Sequence, residues 1–255
     1  MISQLLSPLI AMMGLATGVW LLSLIRRDVS LIDSFWGLFF LLAAGVWALD
    51  NPLGPRAPWV FGLLILWALR LSIYLTVRNW GQAEDRRYQA IRARNQPHYE
   101  IKSLFVVFYL QVLLALLVAL PIAPALTGTQ ALGPLDGLGI AVFLLGFGIE
   151  TVADEQMRRY KARKDPEQPV MNRGLWAWCR HPNYFGESLL WWGFFVLAWS
   201  AGAPLWMVFS PLFMTFLLVR VSGIPLLEKD LKNRHPAYRR YMEETPSFLP
   251  GWRRR

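Results

Sequence analysis

Long apolar runs separated by short polar clusters set the pattern of this chain. Seven stretches, at 5–25, 30–49, 57–77, 103–126, 136–153, 175–200 and 204–224, each read as a helix of bilayer-spanning length. No alternation of period two competes with them, and no internal repeat is evident. A further helix is expected near 226–244 in the tail. The first run lacks a basic start and a small-residue cleavage site, so it reads as a retained span rather than a signal peptide. The pattern predicts an all-α, polytopic membrane protein: one seven-span domain over 1–255.

Charge then assigns a direction. The loops after spans 1, 3 and 5 and the tail hold 22 of the 26 basic residues. The short loops at 50–56, 127–135 and 201–203 share one, Arg56. Basic loops stay in the cytoplasm, which predicts an N-terminus outside and a C-terminus inside. A missed or additional span would break this alternation.

Ionisable residues inside spans are costly and become candidates for function. Here they are Asp33, Arg70, Glu150, Glu187 and Arg220, all in the predicted cytoplasmic half. Arg70 lies roughly 12 Å inside the end of its span, at 1.5 Å per residue. Helical spacing groups polar positions into three stripes. Trp67, Arg70, Tyr74 and Arg78 form one. Glu150, Asp154, Arg158 and Lys161 form a second. Asn183, Glu187 and Trp191 form a third, with Tyr184 beside it. Together they predict a polar cavity open to the cytoplasm.

Composition narrows the chemistry. Of 255 residues, 55% are hydrophobic and 17% charged, unlike an ordinary soluble domain. One cysteine, Cys179, excludes a disulfide framework, and the three histidines at 98, 181 and 235 lack helical zinc spacing. No metal site is expected. The net charge of +9 follows membrane topology rather than a patch with stacking aromatics, so nucleic acid is not expected as a partner. No phosphate loop occurs. Gly137 and Gly139 begin a glycine pattern, but Val142 stands where its third glycine belongs. Any phosphate would be held by Arg, Lys and hydroxyl side chains of the two long basic loops.

The segment 173–187, RGLWAWCRHPNYFGE, is the most specific feature. Pro182 suits the first turn of a helix, and Gly186 admits close approach of a backbone or ligand. The segment resembles the motif of membrane reductases acting on steroids, the steroid 5-alpha-reductases and sterol delta-14 reductases. The tail EKDLKNRHPAYRRYMEETPSFLPGW resembles their ending. Upstream, SLIDSFWG, LRLSIYLTVRNWG and LLVRVSG are similar to bacterial relatives of the 5-alpha-reductase branch. The resemblance covers most of the chain and is strongest over about 145–252.

It implies NADPH bound from the cytoplasmic side without a Rossmann domain, most of its site lying in 80–255. It also implies hydride addition to the carbon–carbon double bond of a 4-ene-3-ketosteroid or similar lipid enone. Cofactor contacts would fall on Arg70, Arg78, Asn79, Asp154, Arg158, Lys161, Asn172, Arg180, His181, Asn183, Tyr238 and Tyr241. The substrate would meet Asp33, Trp36, Trp67, Glu187 and Trp191. Catalytic candidates are Glu187, Asp33, Tyr74 and Tyr184: a protonated Glu187, Tyr74 or Tyr184 would polarise the ketone oxygen, and Asp33 would orient the donor. The family's upstream Gln-Glu pair is missing, with Asp33 the nearest acid. Trp67 stands near the position of its ketone-binding tyrosine, with Tyr74 two turns along.

Two other readings stand beside it, the first of which shares the R-H-P-x-Y-x-G core. One is an isoprenylcysteine or lipid methyltransferase using S-adenosylmethionine. Its Glu-Glu pair would fall where this chain has Glu228-Lys229, and dense basic loops suit NADPH better than a sulfonium. The other is a lipid-binding protein without catalysis. The expected setting is a bacterial inner membrane, as a monomer, with membrane lipid and a lipid enone as partners.

Overall fold

A computed structural model describes residues 2–163, 168–221, 223–234 and 236–251. Lys164, His235, Trp252 and the terminal arginines lie outside them. Among the described residues there is no strand, and the chain is helical, as the hydrophobic pattern predicts. Among the described residues, five helical stretches are long and apolar enough to cross a membrane: Leu5–Arg26, Val29–Asp50, Ala57–Asn79, Tyr99–Ala119 and Pro134–Arg163. They correspond to the first five predicted spans. A shorter apolar stretch follows at Leu205–Val221. The chain divides into two compact units, Met1–Gly133 with Leu197–Met207, and Pro134–Val196 with Val208–Arg255.

Unit one holds α1 (Ile2–Arg26), α2 (Trp36–Asp50), α3 (Ala57–Asn79), α4 (Arg86–Arg94), α5 (Tyr99–Ser103), α6 (Leu110–Ala119) and α7 (Ile122–Thr127). The second predicted span does not begin as an α-helix. A tighter 3-10 segment, Val29–Phe35, precedes α2, with Asp28 capping the Ser30 amide at 2.9 Å. α2 packs against α1, α3, α6 and α7 and buries Phe39, Phe40, Ala43, Ala44 and Trp47. At Gly37 an added Cβ would lie 2.9 Å from the Ala68 Cα, so small residues let α2 and α3 meet at their backbones. The fourth predicted span starts earlier than expected, at Tyr99, and passes through a π-helical turn at Leu104–Tyr109. It breaks near Pro121, which cannot donate to the turn before it.

Arg56 explains why three distant loops meet. Its side chain is buried and donates to the carbonyls of Gln130 at 2.6 Å and Ala131 at 2.9 Å, and to Ser200 Oγ at 3.0 Å. The loops after the second, fourth and sixth predicted spans therefore share one end of the unit. At the ends of α1 and α3, the Arg26 guanidinium lies 5.2 Å from the centre of the Trp80 ring.

Unit two holds α8 (Pro134–Arg163), α9 (Pro182–Ser200, up to Val196), α10 (Phe209–Phe216), α11 (Ile224–Arg234) and α12 (Pro236–Glu244). α8 continues well past the predicted span end at 153, into the stretch read as a basic loop. The sixth predicted span is helical only from Pro182, after a 3-10 turn at Gly174–Ala177. A π turn at Leu217–Val221 leads into the tail, where two helices replace the single one expected.

Glycines set the contact of α8 with α9. An added Cβ at Gly146 would lie 2.5 Å from the Leu190 nitrogen. One at Gly186 would lie 2.6 Å from the Glu150 nitrogen and the Gly146 oxygen, and one at Gly193 would lie 2.7 Å from the Phe143 nitrogen. Gly146 and Gly186 thus face each other, and Gly193 continues the line two turns along. Such close approach brings the two backbones into direct van der Waals contact along the seam.

Candidate functional site

The R-H-P-N-Y segment enters α9 against α8. Asn183 Nδ2 donates to Asp154 Oδ1 at 3.2 Å, and Asp154 is buried. Asn183 Oδ1 is buried and has no hydrogen-bond partner among the described residues, as does Thr151 Oγ1, one turn before Asp154. A buried amide acceptor without a donor is costly unless a ligand supplies one. Glu150 and Glu187 are also buried. The stripe Glu150, Asp154, Arg158, Lys161 runs from this buried end to exposed cations. Arg158 pairs with Glu155 at 2.6 Å, and Lys161 is exposed.

The turn before α9 is held from several sides. Gly174 has φ +60, and a Cβ there would lie 2.6 Å from Gln156 Nε2, so both backbone and space call for glycine. The Leu175 amide donates to Gln156 Oε1 at 3.1 Å, and Trp176 Nε1 donates to the Ala153 carbonyl at 3.0 Å. Tyr241 gives its hydroxyl proton to the Trp176 carbonyl. Tyr238 packs with Tyr241, ring centres 5.7 Å apart, on Val170.

Arg180 and His181 bind the tail. Arg180 meets Glu228 through Nε at 2.7 Å and Nη2 at 3.1 Å, and donates from Nη1 to the carbonyls of Met242 and Thr245. His181 Nε2 lies 2.9 Å from the same carboxylate, and its ring stacks on Tyr184 with centres 5.6 Å apart. Burial, reinforced by Arg180, outweighs Glu228 and holds the imidazole below its ordinary range. A neutral imidazole then donates from Nε2 to Glu228. Burial raises Glu228, but its bonds to His181 and Arg180 prevail and leave it low. A cleft of about 470 Å3 opens beside this clamp, lined by Arg180, Met242, Thr245, Pro246, Ser247 and Phe248.

Unit one carries a second polar cluster. Asp33 accepts from Arg87 Nη2 at 2.8 Å and from the Tyr88 hydroxyl at 2.5 Å. Gln111 Nε2 donates to the Tyr88 oxygen at 2.9 Å. Asp85 accepts from the Arg87 amide and Nε, and Glu84 pairs with Arg92 at 2.8 Å. The Asp85 carboxyl, raised by burial, is lowered further by these Arg87 bonds. Burial and the neighbouring Asp33 carboxylate push the Tyr88 phenol well above its ordinary value, so it remains an O–H donor at neutral pH.

The predicted stripe on α3 forms in part. Arg70 and Arg78 approach the Tyr74 ring at 5.2 and 5.8 Å, and Arg78 Nε donates to Asn79 at 3.0 Å. Trp67 is fully buried and packs edge-on to Phe40, which meets Trp36 in the same way, both at 5.4 Å. Trp191 is fully buried beside Phe194, Asn172 is half-buried, and Arg220 is exposed.

Comparison with known proteins bears on this arrangement. Residues 19–245 match the family described as a protein of unknown function, DUF1295. The chain belongs to this family. An uncharacterized protein of Schizosaccharomyces pombe is 28% identical over 91% of this chain and 75% of its own length. The steroid 5-alpha-reductase DET2 of Gossypium hirsutum is 32% identical over 62 residues, 24% of each chain. Over those 62 residues the chain is similar to a steroid 5-alpha-reductase.

Sequence reasoning missed Tyr88, Arg87, Gln111 and Glu228 as members of these clusters. Gln111 was detectable as a polar side chain inside an apolar span, but a search for charges passes over it. Arg87 and Tyr88 lie on α4, in a stretch the charge pattern reads as a basic loop whose charges topology already explains.

Proposed function

We propose that this chain is an NADPH-dependent reductase of the carbon–carbon double bond of a 4-ene-3-ketosteroid or similar lipid enone. The pairing of Asn183 with Asp154 carries this reading. It leaves a buried amide acceptor at the start of α9, suited to an amide donor such as a nicotinamide carboxamide. The exposed cations one and two turns further along α8, Arg158 and Lys161, suit phosphate, with Asn172 as a further contact. Tyr238 and Tyr241 support the motif from the tail. Arg180 and His181 serve as positioning residues through Glu228.

When bound, a reduced nicotinamide supplies hydride to the β carbon of the enone. The π electrons of the double bond then move to the carbonyl oxygen, and a proton adds to the α carbon. In this reading Glu187 donates to the oxygen, with Tyr184 as the alternative donor. Asp33, held by Arg87 and Tyr88, positions the hydroxyl beside it. Trp191, buried beside Phe194, meets apolar substrate. Burial of Glu187 keeps water from the developing charge.

In the same reading the chain crosses a bacterial inner membrane seven times as a monomer, its C-terminus and cofactor site facing the cytoplasm. The meeting of three short loops at Arg56 supports the alternation.

The test is a titration of the purified chain with NADPH and separately with S-adenosylmethionine, followed by NADPH oxidation in the presence of a 4-ene-3-ketosteroid. Binding of NADPH and its enone-dependent oxidation are expected. Glu187→Gln lowers turnover far more than NADPH affinity. Binding of S-adenosylmethionine alone would replace the reductase with a methyltransferase.

A further inference from the structure

The ends of α1 and α3 bring two cations beside exposed apolar and aromatic side chains. Arg87, Arg92, Arg158, Arg159 and Arg240 each pair with a carboxylate. Among the described residues, Arg26 and Arg27 have no carboxylate partner. Arg26 instead lies over the Trp80 ring at 5.2 Å. That indole is 65% exposed, and it ends an exposed stripe on α3 at helical spacing, Ile73, Val77 and Trp80. Ile25, beside Arg26, is 81% exposed.

The backbone at this corner favours a different residue. α1 closes with Arg27 at φ +54, and the Asp28 amide returns to the Ser23 carbonyl at 3.1 Å. Glycine usually fills that left-handed position, since a side chain there carries a steric cost. An arginine in its place puts a second cation beside the first.

We propose that this corner binds an anionic glycerophospholipid of the surrounding membrane. Its phosphate is held by Arg26 and Arg27, its ester region lies at the Trp80 indole, and an acyl chain runs along Val77 and Ile73. Guanidinium groups match phosphate oxygens in pairs, and an exposed indole at a basic helix end suits the headgroup level. The occupant is a lipid rather than free phosphate because the cations adjoin an exposed apolar stripe, which a small anion leaves uncovered.

The test is native mass spectrometry of the full chain after exchange into mixed phosphatidylglycerol and phosphatidylcholine. Wild type is expected to retain phosphatidylglycerol preferentially. Arg26→Gln lowers that retention about five-fold, the worth of one basic residue at an anionic surface. Arg94→Gln, which removes an exposed cation on α4 with no aromatic ring beneath it among the described residues, leaves retention unchanged. Trp80→Leu, which keeps every charge, also lowers it. Equal loss in Arg26→Gln and Arg94→Gln, unchanged retention in Trp80→Leu, no preference over phosphatidylcholine, or displacement by inorganic phosphate would each overturn the site.

Discussion

Tyr88 donates its hydroxyl to Asp33 at 2.5 Å while Gln111 donates to the Tyr88 oxygen at 2.9 Å. Asp33 comes from the 3-10 segment before α2, Tyr88 from α4, and Gln111 from α6 just past a π turn. π turns shift the register of a helix and recur where a side chain must be aimed. The cluster therefore fixes α4 onto the start of the second span. It also orients one hydroxyl beside one carboxylate.

Replacing Tyr88 by Phe leaves Gln111 and one Asp33 oxygen without their shared partner. A stability loss of about 1–3 kcal/mol is expected for the polar atoms left buried. If Tyr88 and Asp33 position the reacting groups, kcat falls about 100-fold while KM for NADPH changes little. Asp33→Asn should lower kcat similarly, and the double variant should lose little more. Enone-dependent NADPH oxidation and thermal melting check both parts. Full kcat in Tyr88→Phe would confine the residue to a structural role.

Glu228 is the carboxylate for both Arg180 and His181. Glu228→Gln leaves a buried guanidinium without a counter-charge, which costs about 3–5 kcal/mol. The tail should then become sensitive to proteolysis before the apolar helices melt. Replacing both partners, Glu228→Gln with Arg180→Met, should cost less than the single change. If the single variant resists protease like wild type, the clamp is not what holds the tail.

The same cluster gives stability a sign with pH. His181 and Glu228 both titrate below their ordinary values of 6.5 and 4.5 in the folded chain. The unfolded chain therefore binds more protons in both windows, and stability rises with pH there. The contribution is full above 6.5 and is lost downward, first through His181 and then through Glu228. Melting temperature followed from neutral to acidic pH should fall in that order. His181→Asn should flatten the first part, and a stability gain on acidification in wild type would contradict the assignment.

The helical class and the first five stretches long and apolar enough to cross a membrane were legible because apolar length is a local property of the sequence. The R-H-P-N-Y segment was legible for the same reason, as contiguous residues of unusual type. Where each helix begins was harder to read. Nothing local in Val29–Phe35 separates a 3-10 turn from the first turn of a span, and only packing and the Asp28 cap decide it. The partners of Asp33 were also out of reach. Tyr88 follows it by 55 positions and Gln111 by a further 23, so spacing along one helix could not join them. Gly186 was readable as a site of close approach, though not that the approaching group is the backbone of α8.

That contact yields a sharp comparison of glycines. A Cβ at Gly186 would lie 2.6 Å from backbone atoms of α8, which cannot move as a side-chain tip can. Gly186→Val should force the two helices apart and cost about 1–3 kcal/mol or more. Gly148, on the same helix as Glu150, has nothing within 4 Å of its Cβ position. Gly148→Ala should be neutral, or stabilising by up to about 1 kcal/mol through helix propensity. Separation at Gly186 also displaces Asn183, one turn before it, from Asp154. NADPH affinity should therefore fall with stability in Gly186→Val and stay unchanged in Gly148→Ala. Melting curves and NADPH titration of the two variants side by side measure this, and equal behaviour would show that the glycine seam does not govern the start of α9.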